Sequence, residues 1–228
     1  MRAAHADEPR VFLTYVTANQ SANHHTDFID LENRQMTKHS SLQTIRDEHA
    51  SLAAMLQSMR MMVERGPSDD RRNFFDVVRA MLFYIDEFPE RLHHPKESNL
   101  LFPKVVKAAP KVMGAIDKLE RDHMYSEKAA RDLQHLLLSW ELLGATRRQA
   151  FEDAFKQYVD FYLEHMNLEE SVILPEAERC LSDEDWAILD KAFAENADPL
   201  TGHYPPTQVY EKLFTLIVSR APAPIGLG

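Results

Sequence analysis

Residues 151–179 read FEDAFKQYVDFYLEHMNLEESVILPEAER, and this stretch decides the fold class. Phe155, Tyr158, Phe161, Tyr162, Leu168, Val172 and Ile173 recur at helical spacing and form one apolar stripe, which predicts a single long amphipathic helix. His165 and Glu169 lie on the same stripe, four residues apart, so their side chains emerge one turn apart on the face that should be buried. A carboxylate in an apolar core costs several kcal/mol unless something neutralises it. A metal ion does so, and the neighbouring imidazole is a good ligand for the same ion. The remaining question is whether other helices bring matching ligands to this layer.

Three do. A helix capped by Ser40 or Ser41 carries Ile45, His49, Leu52, Leu56, Met59 and Val63 until Gly66-Pro67 stops it. A second begins near Asp69-Asp70 with the stripe Phe74, Val78, Met81, Ile85, Phe88 and Leu92. Pro89 and Pro95 then predict a kink or break, because each removes a backbone donor and crowds the carbonyl four residues back. Within that disturbed stretch, His93 and Glu97 repeat the four-residue spacing of His165 and Glu169, and the kink can turn His94 inwards as well. A third helix opens at Pro110 and runs through Val112, Ile116, Leu119, His123, Ala130, Leu133, Leu137 and Trp140 to Gly144, with Glu127 one turn after His123. His135 falls off this stripe and reads as a surface residue.

Outside these helices the signals are weaker. Residues 1–38 have no sustained period and read as an arm, with His24-His25 in a polar loop. Ser182 and Asp185 form a capping-box pattern for a fifth helix from Asp183 to Asn196; Gln208 to Arg220 makes a sixth. The Pro-rich tail 221–228 should be extended and mobile. The expected organisation is an arm (1–38), an all-α, up-down-up-down four-helix bundle (39–181) and a helical extension packed on it (182–228).

Composition narrows the function. Of 228 residues 44% are apolar and only 6 are glycine, which suits a helical protein with a substantial core. The net charge of −10 offers no basic surface for nucleic acid. The single cysteine, Cys180, excludes an internal disulfide and fits a reducing compartment. No basic head with an apolar run opens the chain, and no run of about 18 apolar residues is present to span a membrane, so a cytoplasmic location is expected. No Gly-rich phosphate loop or nucleophile elbow appears. One histidine on an apolar stripe is usually a hydrogen-bonded core residue. Four, on four bundle helices together with two carboxylates, point instead to nitrogen and carboxylate ligation of a pair of iron ions, with each glutamate able to bridge.

The set His49, His93-x-x-x-Glu97, His123 and His165-x-x-x-Glu169 resembles the hemerythrin-like, or HHE cation-binding, family over about residues 40 to 180. The resemblance implies a four-helix bundle around a non-haem, oxo- or hydroxo-bridged di-iron centre. Glu97 and Glu169 would bridge the two irons, the histidines would be terminal ligands and His94 a further ligand. It also implies binding of, or response to, a small ligand such as O2, NO or peroxide, or a part in iron handling. A redox partner and a homodimer are both compatible with it. Oxygen-carrying members place a second histidine where this chain has Glu127, which argues against reversible oxygen transport. Two other classes remain open: a ferritin-like di-iron oxidase or ferroxidase, suggested by Glu90-x-x-His93 and Glu120-x-x-His123, and a metal-free interaction bundle.

Overall fold

The computed structural model describes residues 39–67 and 70–228; the arm 1–38, with His24 and His25, and Asp69 lie outside the described residues. All regular structure among the described residues is helical. The first bundle helix is α1 (Ser40–Arg65). The second is one helical run from Arg71 to Ala108, which comprises α2 (Arg71–Ile85), a π-helical stretch (Asp86–His93), one α turn (His94–Lys96), a second π stretch (Glu97–Leu101) and α3 (Phe102–Ala108). The third is α4 (Met113–Leu143). The fourth joins α5 (Arg148–Leu168), a π stretch (Glu169–Ile173) and α6 (Leu174–Cys180). The extension adds α7 (Asp183–Phe193) and α8 (Glu211–Arg220).

Local chemistry accounts for the ends. Asp70 caps α2 by accepting from the Asn73 amide at 3.1 Å. Ser182 and Asp185 form a reciprocal capping box on α7. The prolines, however, do not break the second helix as expected. Its hydrogen bonding slips from four residues back to five: His94 N–H donates to Pro89 O and Phe102 N–H to Glu97 O. In the fourth run Leu174 N–H donates to Glu169 O, just ahead of Pro175. A proline has no N–H and its ring crowds the carbonyl four back, so an extra residue in the turn relieves both problems while the helix continues.

The core lies in two apolar clusters. One gathers Leu52, Met55, Phe75, Val78, Leu133, Trp140, Phe151, Phe155 and Tyr158; the other gathers Ile45, Leu101, Phe102, Leu119, Ile173, Trp186 and Phe193. Every bundle helix passes from one cluster to the other, and each carries a histidine at the crossing: His49 between Ile45 and Leu52, His93 and His94 between Phe88 and Leu101, His123 between Leu119 and Ala130, His165 between Tyr162 and Ile173. A buried polar layer therefore separates two hydrophobic halves. Trp186, Leu189 and Phe193 of α7 close one half, while Phe214, Ile217 and Val218 of α8 join the other. Full burial of an aromatic such as Phe214 contributes about 2–3 kcal/mol.

The tail also differs from expectation. It folds back, with Gly228 N–H donating to Ala221 O at 2.8 Å and Ile225 N–H donating to Ser58 Oγ of α1 at 3.0 Å. Gly226 is required there, since a Cβ would stand 2.1 Å from Ala221 O. Among the described residues no helix is long and apolar enough to cross a membrane.

Candidate metal centre

The polar layer brings the seven expected residues into two overlapping groups. His49, His93, Glu97 and Glu169 form one; His94, Glu97, His123 and His165 form the other. Within each group every residue offers a ligand atom within 4.8 Å of the others', and all are buried. Glu97 belongs to both groups. The two adjacent histidines separate, His93 into one group and His94 into the other. The α turn His94–Lys96, set between two π stretches, points successive side chains into different parts of the layer.

The distances within the layer are short. His93 Nε2 stands 2.7 Å from Glu97 Oε1, His123 Nε2 3.4 Å from Glu97 Oε2, and His49 Nε2 3.4 Å from Glu169 Oε2. Few of these approaches are aligned as hydrogen bonds. Both oxygens of Glu97 and of Glu169, Nε2 of His93 and His123, and both ring nitrogens of His165 are buried without a hydrogen-bond partner. Each orphaned polar atom costs about 1–3 kcal/mol. Such a concentration in a dry layer is what a cation's ligands leave when the cation is taken out of account. Imidazole nitrogen mixed with carboxylate oxygen fits a borderline transition metal such as iron.

A surrounding set of partners aims the imidazoles. His93 Nδ1 meets Glu48 Oε2 at 2.6 Å, His94 Nδ1 meets Glu90 Oε2 at 3.0 Å, and His49 Nδ1 meets Glu170 Oε1 at 2.8 Å. A carboxylate accepts, so Nδ1 of these rings carries a proton and Nε2 is the nitrogen turned to the layer; His94 Nε2 also lies 3.2 Å from Tyr162 Oη. Ser98 does the same for His123: its hydroxyl donates to Glu120 Oε2 at 3.0 Å and so accepts from His123 Nδ1 at 2.9 Å. His165 Nδ1 has Asp122 Oδ2 at 3.6 Å, too far for a hydrogen bond.

Without a cation the layer's protons are unevenly held. Burial lowers the His49 pKa, but Glu169 and Glu170 outweigh it and raise it to about 9. Burial and the charge of Glu97 lift Glu169 to about 7. Burial would raise Glu97 too, yet His93 and His123 hold it well below the usual carboxylate range. On the other side, burial and the His123 charge push His94 well down and His165 to about 3.

A sequence model of the hemerythrin HHE cation-binding domain matches residues 40–177, more than half of the chain. The chain belongs to that family. An uncharacterized protein of Haemophilus influenzae is similar as well, 32% identical over 107 residues, a stretch that covers 47% of this chain and 59% of that protein. The chain thus matches less than two thirds of that relative's length. For this HHE-domain chain the buried histidine and glutamate groups are residues that could hold a metal.

Several residues at this HHE site escaped the stripe reading. Glu48, next to His49, looks like a solvated charge in sequence but is buried because the extension covers it. Glu90 and Glu120, three residues before His93 and His123, take outer positions and join neither ligand group. Glu90 accepts from Tyr162 Oη at 2.8 Å, Ser126 Oγ at 2.9 Å and Tyr158 Oη at 3.3 Å, and burial raises it to about 7. Glu127 is exposed and paired with Arg131 at 2.9 Å, away from the layer. His135 is exposed.

Proposed function

We propose that the chain holds two iron ions, one in each ligand group, and serves to bind or respond to a small oxidant such as O2, NO or peroxide, or to handle iron. The observation that carries this reading is the sharing of Glu97 by two buried groups in which both oxygens of Glu97 and Glu169, Nε2 of His93 and His123 and both ring nitrogens of His165 have no hydrogen-bond partner. His49 and His93 would serve one ion, His94, His123 and His165 the other, with Glu97 and Glu169 between them. An iron pair supplies electrons, and with a vacant coordination position it binds a small ligand.

The chain's own residues shape what can reach the layer. A cavity of about 20 Å³ adjoins it, lined by Leu52, Phe88, Leu92 and Met166 as well as by His49, His93, His94 and His165. About 10–15 Å³ admits one water, so only a molecule of water or diatomic size fits. The apolar wall disfavours ions and bulk water. Beside His94, Tyr162 Oη donates to Glu90 Oε1, which places a buried carboxyl and a phenol where a proton can be held. On this reading the protein would work in the cytoplasm with a redox partner.

Anaerobic reconstitution with Fe(II), followed by metal analysis and optical spectra before and after exposure to air or NO, tests the proposal. Two irons per chain and a ligand-dependent spectrum are expected. His93→Ala should lose iron severely, while His94→Ala should lose less, because water can replace one terminal ligand. Protein that takes up no iron would be a metal-free bundle, and the reading would be wrong.

A further inference from the structure

The segment after α7 enters the polar layer from outside residues 40–177, the region that the HHE domain match covers. Asn196 and Asp198 are 4% and 2% exposed, and both line the cavity beside His93. Between them Ala197 adopts φ 44°, a left-handed conformation unusual for a residue with a Cβ. Such strain persists only where the surroundings fix it, and it often marks a functional turn.

The polar contacts of Asn196 run in one direction. Lys96 Nζ donates to Asn196 Oδ1, which fixes the orientation of the amide, since an ammonium can only donate. Asn196 Nδ2 therefore faces Glu48 and donates to its Oε2 at 2.9 Å. The same Oε2 accepts from His93 Nδ1 at 2.6 Å. Asn196 thus sets the carboxylate that sets the ring, and His93 Nε2, left without a partner, is aimed at Glu97.

We propose that Asn196 is a positioning residue of the metal centre, acting through Glu48 on His93, and that the C-terminal extension is in this way part of the site. The proposal rests on the di-iron reading above. Losing the amide donor should leave Glu48 free to turn from His93 and weaken the ion held by His49 and His93, while the ion of His94, His123 and His165 is spared.

Cobalt(II) titrations of the full chain, followed by its visible spectrum, test this with two variants and a control. Asn196→Asp keeps the size and the Lys96 contact but removes the donor; Asn196→Leu removes both. Thr201→Val loosens the same turn, by deleting the 2.7 Å bond from Thr201 Oγ1 to Asp198 O, without touching Glu48. Both Asn196 variants should lose about ten- to hundredfold affinity for one equivalent of metal with a changed spectrum, and Thr201→Val should not. Wild-type affinity and spectrum in the Asn196 variants, or an equal loss in Thr201→Val, would mean that Asn196 only holds the segment down, and the proposal would be overturned. Wild-type protein that binds no cobalt would overturn the di-iron reading and this inference together.

Discussion

The uneven proton distribution of the layer predicts that its two halves load metal with different pH dependence. A ligand must shed its proton before it binds a cation. His94 and His165 have pKa values pushed well down and to about 3, so at pH 6 they already offer lone pairs. His49 titrates near 9 and Glu169 near 7, so both hold protons at pH 6. From pH 6 to pH 8, displacing the His49 proton becomes easier by about two decades and the Glu169 proton by about one. The sum is about a thousandfold, or ~4 kcal/mol at 1.36 kcal/mol per pKa unit. Burial lowers the His93 pKa, but Glu97 and Glu48 hold it well above the ordinary imidazole value, so its proton adds to this dependence, while the charge of a first cation pulls the remaining protons loose; a rise of at least tenfold is expected. Anaerobic cobalt(II) titrations at pH 6, 7 and 8, with proton release followed by calorimetry in two buffers, read it directly. One equivalent should depend less steeply on pH and be lost in His165→Ala. The other should tighten with pH, release protons and be lost in His49→Ala. Two equivalents that respond alike to pH would refute the reasoning.

Metal removal should cost stability as well. At a free metal concentration about a hundred times Kd, each ion contributes ~2.7 kcal/mol, or roughly 5–10 °C in Tm for a chain of this size. Chelation should therefore lower the melting temperature by that much per ion in calorimetry, and equal melting with and without metal would contradict the burial of Glu97 and Glu169. Gly226→Ala drives a Cβ against Ala221 O, so the tail should undock from Ser58 at a cost of about 1–3 kcal/mol while metal content is retained. An unchanged melting temperature would show that the tail does not need this turn.

The bundle and the histidine layer were legible because apolar periodicity marks which face of each helix is buried, and a histidine or glutamate that interrupts it stands out. His49, His123 and His165 needed nothing more. His93 and His94 could not be assigned to separate groups, because Pro89 and Pro95 change the hydrogen-bonding register and with it the phase of every later side chain. Glu48 and Asn196 lie 148 residues apart and acquire meaning only when α7 docks on α1. No local pattern encodes that contact. The tail was misread for a similar reason: its prolines suggested an extended chain, whereas the Ser58 hydroxyl and the bare Cα of Gly226 allow it to fold back.

One signal was present and unread. His93, Glu97 and Pro103 share their spacing with His165, Glu169 and Pro175. In both runs the proline lies six residues after the glutamate, and the π stretch begins at that glutamate. The prolines therefore belong to the construction of the layer: each shifts the turn that follows a carboxylate while the helix carries on into the second apolar cluster. The two halves diverge at one position. The residue after His93 is a further histidine, His94, whereas the residue after His165 is Met166, buried and part of the apolar cavity wall. One ligand group consequently has three histidines and the other two. On the di-iron reading, the ion with fewer histidines is the one held by His49 and His93, which line the cavity together with His94 and His165 of the other group. A small ligand is expected there, next to the histidine that Glu48 and Asn196 hold in place.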